Sequence, residues 1–297
     1  MIQIFITMST TSLLISILLV FVSYTIHSQN SEKTIDSLNT EKTQLKPTTL
    51  QLLKYDGLSI YKGIKNTYTR PFKWKKKDWI TFGGILAGTG ILLTVDKPAN
   101  TYFTEQSDEI PNGIKETGFR FGKPLLNYGL TTSVYAIGLF TKNENIRKTG
   151  VLLIASATAG GLIQTVSKTL AGRARPNTGK GNLSFHFWSD EPGFHSFPSG
   201  HSILSFTTAY AIGKQFNNPY LKGGIYAIGL LSPVSRLWAG AHWLTDVGLG
   251  IAISIVIVDG IDNYLKKTER YVYQHKQNKI KWNLKLGAGQ IGVVGRF

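Results

Sequence analysis

The chain has 297 residues, 42% of them hydrophobic and 17% charged, with a net charge of +16 and no cysteine. That balance excludes a disordered chain, and the missing thiols exclude a disulfide scaffold, Cys-ligated zinc, iron–sulfur clusters and a Cys nucleophile. The excess of base calls for an anionic partner: membrane headgroups, nucleic acid or a phosphorylated substrate.

In chain order, residues 1–28 come first. Residues 2–26 are almost uncharged, with an apolar stretch at 13–22 followed by small and polar residues such as Ser23, Thr25 and Ser28. This reads as a secretory signal peptide or an N-terminal membrane anchor, and either sends the chain to the cell envelope. Residues 29–70 read as a polar leader, rich at first in Ser, Thr and Lys.

Six apolar segments follow, at 79–95, 125–140, 150–170, 201–213, 223–238 and 243–261, rich in Gly, Ala, Ser and Thr. Small residues let helices approach closely in a bilayer. The expectation is an all-α, six-helix membrane-embedded bundle over 71–270. Several segments are shorter than the roughly 20 residues a span needs, so a buried bundle in a soluble protein is the competing reading. Basic clusters (Arg70 to Lys77; Lys142, Arg147 and Lys148; Lys214 and Lys222; Lys266, Lys267 and Arg270) fall on one side if every segment spans, as the positive-inside rule expects. These bases sit at the ends of apolar segments rather than along one polar face, so nucleic acid is set aside as the partner. Residues 271–297 alternate and are Gly-rich, and read as a short β-like tail.

Three polar clusters lie at segment ends, on one face of this bundle. They are Lys168 to Arg175-Pro176, Pro198-Ser199-Gly200-His201, and Ser235-Arg236 to His242 and Asp246. Arg carries a planar fork of donors matched to phosphate oxygens. Pro-Ser-Gly opens a helix whose free N–H groups favour an anion, and Gly200 lets a ligand approach the backbone. His242 and Asp246 are four residues apart and share a helix face, so the carboxylate can hold one imidazole nitrogen and leave the other as a nucleophile. His201 is a second imidazole, suited to protonating a leaving oxygen. Arg173 and His195 lie outside these clusters and read as a neighbouring contact and an ordinary loop residue. Phe185, His186, Phe187 and Trp188 sit on the long loop and suit the headgroup zone, where they would guide a lipid phosphate or simply pack.

Lys-x6-Arg-Pro, Pro-Ser-Gly-His and Ser-Arg-x5-His-x3-Asp, complete over 168–246, resemble the signature of the type 2 phosphatidic acid phosphatase superfamily. The resemblance implies that His242 attacks phosphorus to form a phosphohistidine, Asp246 orients it, and His201 protonates the leaving alkoxide. It implies that Lys168, Arg175, Ser199, Gly200 and Arg236 hold the phosphoryl oxygens, with no metal and no cofactor. The implied substrate is a lipid phosphate or pyrophosphate, met at a bacterial inner membrane with the site facing the periplasm or exterior. Alternatives on the same fold are a soluble secreted acid phosphatase, a vanadium haloperoxidase and a non-catalytic membrane binding protein. Oligomeric state is not legible in the chain.

Overall fold

The computed structural model describes residues 47–271 and the backbone of two strands, β1 (Lys281–Gly287) and β2 (Gln290–Arg296), which pair antiparallel. The signal or anchor expected at 1–28 and the leader over 29–46 lie outside the described residues, as do parts of the expected tail. Among the described residues there are nine α-helices: α1 (Thr49–Thr69), α2 (Lys76–Thr94), α3 (Asp96–Gln106), α4 (Asn112–Phe121), α5 (Pro124–Phe140), α6 (Glu144–Ala171), α7 (Gly200–Gly213), α8 (Pro219–Trp238) and α9 (Leu244–Lys267).

Each of the six apolar segments is a helix, but the expected count of six is corrected by α1, α3 and α4. The second half of the expected leader, 49–69, is α1. A capping box starts it, with Gln51 N donating to Thr48 Oγ1 (3.3 Å) and Thr48 N to Gln51 Oε1 (2.8 Å). Its buried residues Leu52, Asp56, Ser59 and Gly63 form one helical stripe against α6 and α9. Three of the four are polar or lack a side chain, so no apolar periodicity announced the helix.

Among the described residues, α6 and α9 are long and apolar enough to cross a membrane, and α2 with α3, bent by 64°, pass together as one broken span. With 14 residues, α7 rises only about 21 Å against a hydrocarbon core of about 30 Å.

α6 is the central helix and packs on α1, α5, α7 and α9. Val151, Leu152 and Leu153 are consecutive and fully buried, so α6 is enclosed on all sides there. Asn143 caps its start, accepting from Ile146 N (3.1 Å), and Gly172 ends it at φ 53°, a left-handed conformation that favours glycine. α5 returns against α6 so closely that a Cβ on Gly138 would lie 2.3 Å from the Arg147 amide nitrogen. Polar side chains tie helix to helix: Asn127 Nδ2 of α5 donates to Leu204 O (3.1 Å) and Thr208 Oγ1 (2.8 Å) of α7, and Ser254 Oγ of α9 donates to Ile203 O (3.0 Å). This packing brings the C-terminal ends of α6 and α8 and the N-terminal ends of α3, α7 and α9 to one end of the bundle.

Candidate active site

His242 lies in the turn between α8 and α9 and is only 2% exposed. Its Nδ1 is 2.7 Å from the carbonyl oxygen of Ser196 and 3.7 Å from Asp246 Oδ2. The carbonyl can only accept, so Nδ1 carries the proton and Nε2 keeps its lone pair. The Ser196 carbonyl sets the tautomer, with Asp246 at ion-pair distance from the same nitrogen, and Asp246 is itself held by accepting from Ser196 Oγ, from Trp243 N (2.8 Å) and from Arg173 Nη1 (2.6 Å). Burial pushes the His242 imidazole down to about 4, with Asp246 opposing the shift.

Arg173, two residues before the signature arginine and 1% exposed, is the hub beneath this arrangement. Nη2 pairs with Asp96 Oδ2 at 2.6 Å, while Nε (2.9 Å) and Nη2 (2.8 Å) donate to the Asn182 carbonyl. Asp96 sits at the bend between α2 and α3, and its Oδ1 accepts from Thr245 N (2.9 Å) in the first turn of α9. One arginine and two buried carboxylates thus lock three chain segments together. The sequence reading missed Asp96 and gave Arg173 a peripheral place. The available signals were an acid closing an apolar segment and a second Arg in Gly-Arg-Ala-Arg.

The predicted cations converge above the histidine. Arg175 is clamped by three carbonyls, Pro192 (2.9 Å), Ala241 (3.0 Å) and His195 (3.1 Å), which fix its plane without cancelling its charge. Arg236, in the last turn of α8, lies 4.8 Å over the Phe119 ring, and its buried Nε has no hydrogen-bond partner. Lys168 occupies the last turn of α6, and His201 feels the charges of Lys168, Arg175, Arg236 and His242. Among the described residues, no carboxylate lies at ion-pair distance from Lys168, Arg175 or Arg236. His195 turns its own ring to the Ser189 carbonyl (2.7 Å), so its part here is structural.

Ser199 is the N-cap of α7 and accepts from Ser202 Oγ (2.9 Å), while its own N–H donates to the Asp246 carbonyl (3.1 Å). The start of α7 is therefore bolted to the start of α9, whose Trp243 and Thr245 amides are already taken by Asp246 and Asp96. His201 stacks on Phe119 (5.2 Å, 10°) with its buried Nε2 unpartnered. Gly122 backs this ring so closely that a Cβ there would lie 2.5 Å from His201 Cδ2. A buried imidazole nitrogen and a buried guanidinium nitrogen without partners are costly unless a ligand completes them. The arrangement suits a tetrahedral oxyanion held over His242.

Residues 149–267 match the family model of the PAP2 superfamily. A lipid A 1-phosphatase of Rhizobium etli is 34% identical over 107 residues, covering 35% of this chain and 44% of the relative. Another lipid A 1-phosphatase, of Rhizobium johnstonii, is 34% identical over 107 residues, covering 35% of this chain and 42% of that protein. The chain thus spans less than half the length of the curated relatives it matches. Among solved structures, the transmembrane PAP2 type phosphatidylglycerolphosphate phosphatase from Bacillus subtilis is similar at 20% identity and a TM-score of 0.48, covering 64% of this chain and 98% of that one. All eight predicted site residues fall inside the segment that matches this family model. Asp96, Phe119 and Gly122, which hold Arg173, Arg236 and His201 from outside, precede it.

Proposed function

We propose that this chain is a membrane phosphatase that hydrolyses a lipid phosphate or pyrophosphate monoester through a phosphohistidine, without a metal, at the extracytoplasmic face of a bacterial inner membrane. The observation that carries this reading is the tautomer of His242. Nδ1 is committed to the Ser196 carbonyl, leaving the Nε2 lone pair beneath cations from which no carboxylate among the described residues is at ion-pair distance. In the first step the Nε2 lone pair forms the N–P bond as the ester P–O bond breaks, and His201 passes a proton to the leaving oxygen. In the second, water attacks phosphorus, its proton goes to His201, and the N–P bond breaks to return the pair to Nε2. Lys168, Arg175, Arg236, Ser199 and the N–H of Gly200 hold the phosphoryl oxygens throughout, the stabilisation on which phosphoryl transfer chiefly depends. Among the described residues no group of three or more His, Asp or Glu is placed to hold a metal ion. The apolar helices α6 and α9 support a membrane setting, and the two lipid A 1-phosphatases support a lipid phosphate as substrate.

The test is phosphate release by the detergent-purified protein, with EDTA, from lipid A, phosphatidic acid, phosphatidylglycerol phosphate, undecaprenyl pyrophosphate and p-nitrophenyl phosphate. We expect release from a long-chain lipid that His242→Ala lowers by on the order of 10⁴-fold or more. Release from the soluble ester alone would point to a broad acid phosphatase, and release indifferent to His242 would overturn the mechanism.

A further inference from the structure

The loop between Arg175 and α7 doubles back on the end of α6 as a short ribbon. Ala174 N donates to Ser184 O (2.9 Å), His186 N to Gly172 O (2.7 Å) and Trp188 N to Thr169 O (2.9 Å), and Arg173 faces Phe185 as an antiparallel bridge. A Cβ on Gly172 would lie 1.7 Å from the His186 carbonyl oxygen, so the ribbon is seated where only glycine leaves room. This is a fixed platform, and what it presents is apolar. Leu183, Phe185, Phe187 and Trp188 are all exposed on it. Leu183 is 67% exposed, Phe187 66% and Trp188 71%. Phe185 stacks on Phe187 (6.2 Å, 16°), and the Arg173 guanidinium lies 5.9 Å from the Phe185 ring, so the aromatic face rests on the hub that holds Asp246. Trp188 stands at φ 64°, an unfavourable backbone for a bulky residue, which the ribbon enforces.

Two observations say what meets this face. The tie from Trp188 to Thr169 sets it level with the last turn of α6, a helix long and apolar enough to cross a membrane. Along that helix Leu162, Val166 and Leu170, spaced by four, are all exposed, so an apolar stripe climbs the outside of α6 and ends at the turn where the ribbon is tied. Aromatic side chains at the end of a spanning helix belong to the headgroup layer.

We propose that residues 183–188 form an interfacial anchor that seats the active-site end of the bundle in the headgroup layer of the bilayer, so that the phosphate arrives from the lipid side and not from bulk water. The second half of this statement rests on the phosphatase reading; the anchor does not.

The experiment uses the full chain in phosphatidylcholine vesicles whose acyl chains are brominated near the carbonyl end. The fluorescence assigned to Trp188, taken as the difference between the wild type and Trp188→Phe, should be quenched by bromine. Phe187→Ser/Trp188→Ser should lower kcat/KM about tenfold on long-chain phosphatidic acid in vesicles and leave it within about twofold on a short-chain, water-soluble phosphatidic acid. An unquenched Trp188 overturns the anchor, and points to a protein partner for this face. Equal losses on both substrates, or none on either, overturn delivery from the lipid side. Quenching without release from any phosphate ester sustains the anchor and overturns the phosphatase reading instead.

Discussion

Two buried arginines lie at the two ends of α6, some 40 Å apart by helix rise, and each is paired with aspartate. Arg147 Nε is 2.8 Å from Asp56 Oδ2, and the same carboxylate accepts from Tyr135 (3.1 Å) and Tyr271 (2.7 Å). Nearby cations are matched too, Lys214 to Asp259 and Asp262 and Lys266 to Asp262. Arg173 is paired just as closely, with Asp246 and Asp96, yet beside it stand Lys168, Arg175 and Arg236, from which no carboxylate among the described residues lies at ion-pair distance. Burial of charge is common to both ends, so burial alone does not mark a site. The mark is charge left open next to charge that is closed. The closed network at the Arg147 end holds α1 to α5 and α6, whereas the open set at the Arg173 end is the proposed phosphate site.

The comparison breaks most visibly by cutting each hub. Arg173→Met and Arg147→Met each strand buried carboxylates, and each should lose about 3–5 kcal/mol of stability. Thermal unfolding in detergent reads this. Their activities should part: the folded fraction of Arg147→Met keeps the wild-type kcat, and that of Arg173→Met loses it as Asp246 and Ser196 drift. Equal kcat in the two variants would make Arg173 another structural pair. Arg236→Ala touches the open set alone, and kcat should fall about 10²–10³-fold, as when one oxyanion donor is removed, with the unfolding midpoint little changed. A purely structural role would move the midpoint instead.

His242 sharpens the contrast through pH. Its folded imidazole titrates at about 4 against roughly 6.5 in an unfolded chain. The unfolded state therefore binds the extra proton first, and stability falls as pH falls through that window. The unfolding midpoint between pH 6.5 and 4.5 should slope less in His242→Gln than in the wild type, and identical slopes would show that the site admits water freely. The smallest effect belongs to the closed end. Tyr271→Phe removes one donor to Asp56 and should cost about 1.5–3 kcal/mol, with phosphate release unaltered. A loss of activity there would mean that the two ends are coupled through α6.

Much of the site was legible before any coordinates, because its residues lie at fixed spacings beside helix ends. Lys168, Arg175, Ser199, Gly200, His201, Arg236, His242 and Asp246 come to one end of the bundle as the segment order predicts. Asp96 was not legible, since its partner Arg173 is 77 residues away and a lone acid after an apolar stretch looks like solvent-facing punctuation. α1 was hidden for a related reason. Its buried stripe carries Asp56 and Ser59, whose burial is tolerable only because Arg147, Tyr135, Tyr271 and Arg270 reach them from distant parts of the chain.

The sequence by itself determined the six apolar helices, the cationic character of one end and the signature residues that meet there, since apolar stretches, caps and short spacings act locally along the chain. Only the tertiary structure decided which oxygen sets the His242 tautomer, which cations stay unpaired and which buried acids are neutralised. Hydrogen bonds and ion pairs extend only a few ångströms, and the groups that meet across those distances come from segments that packing, not sequence proximity, brings together.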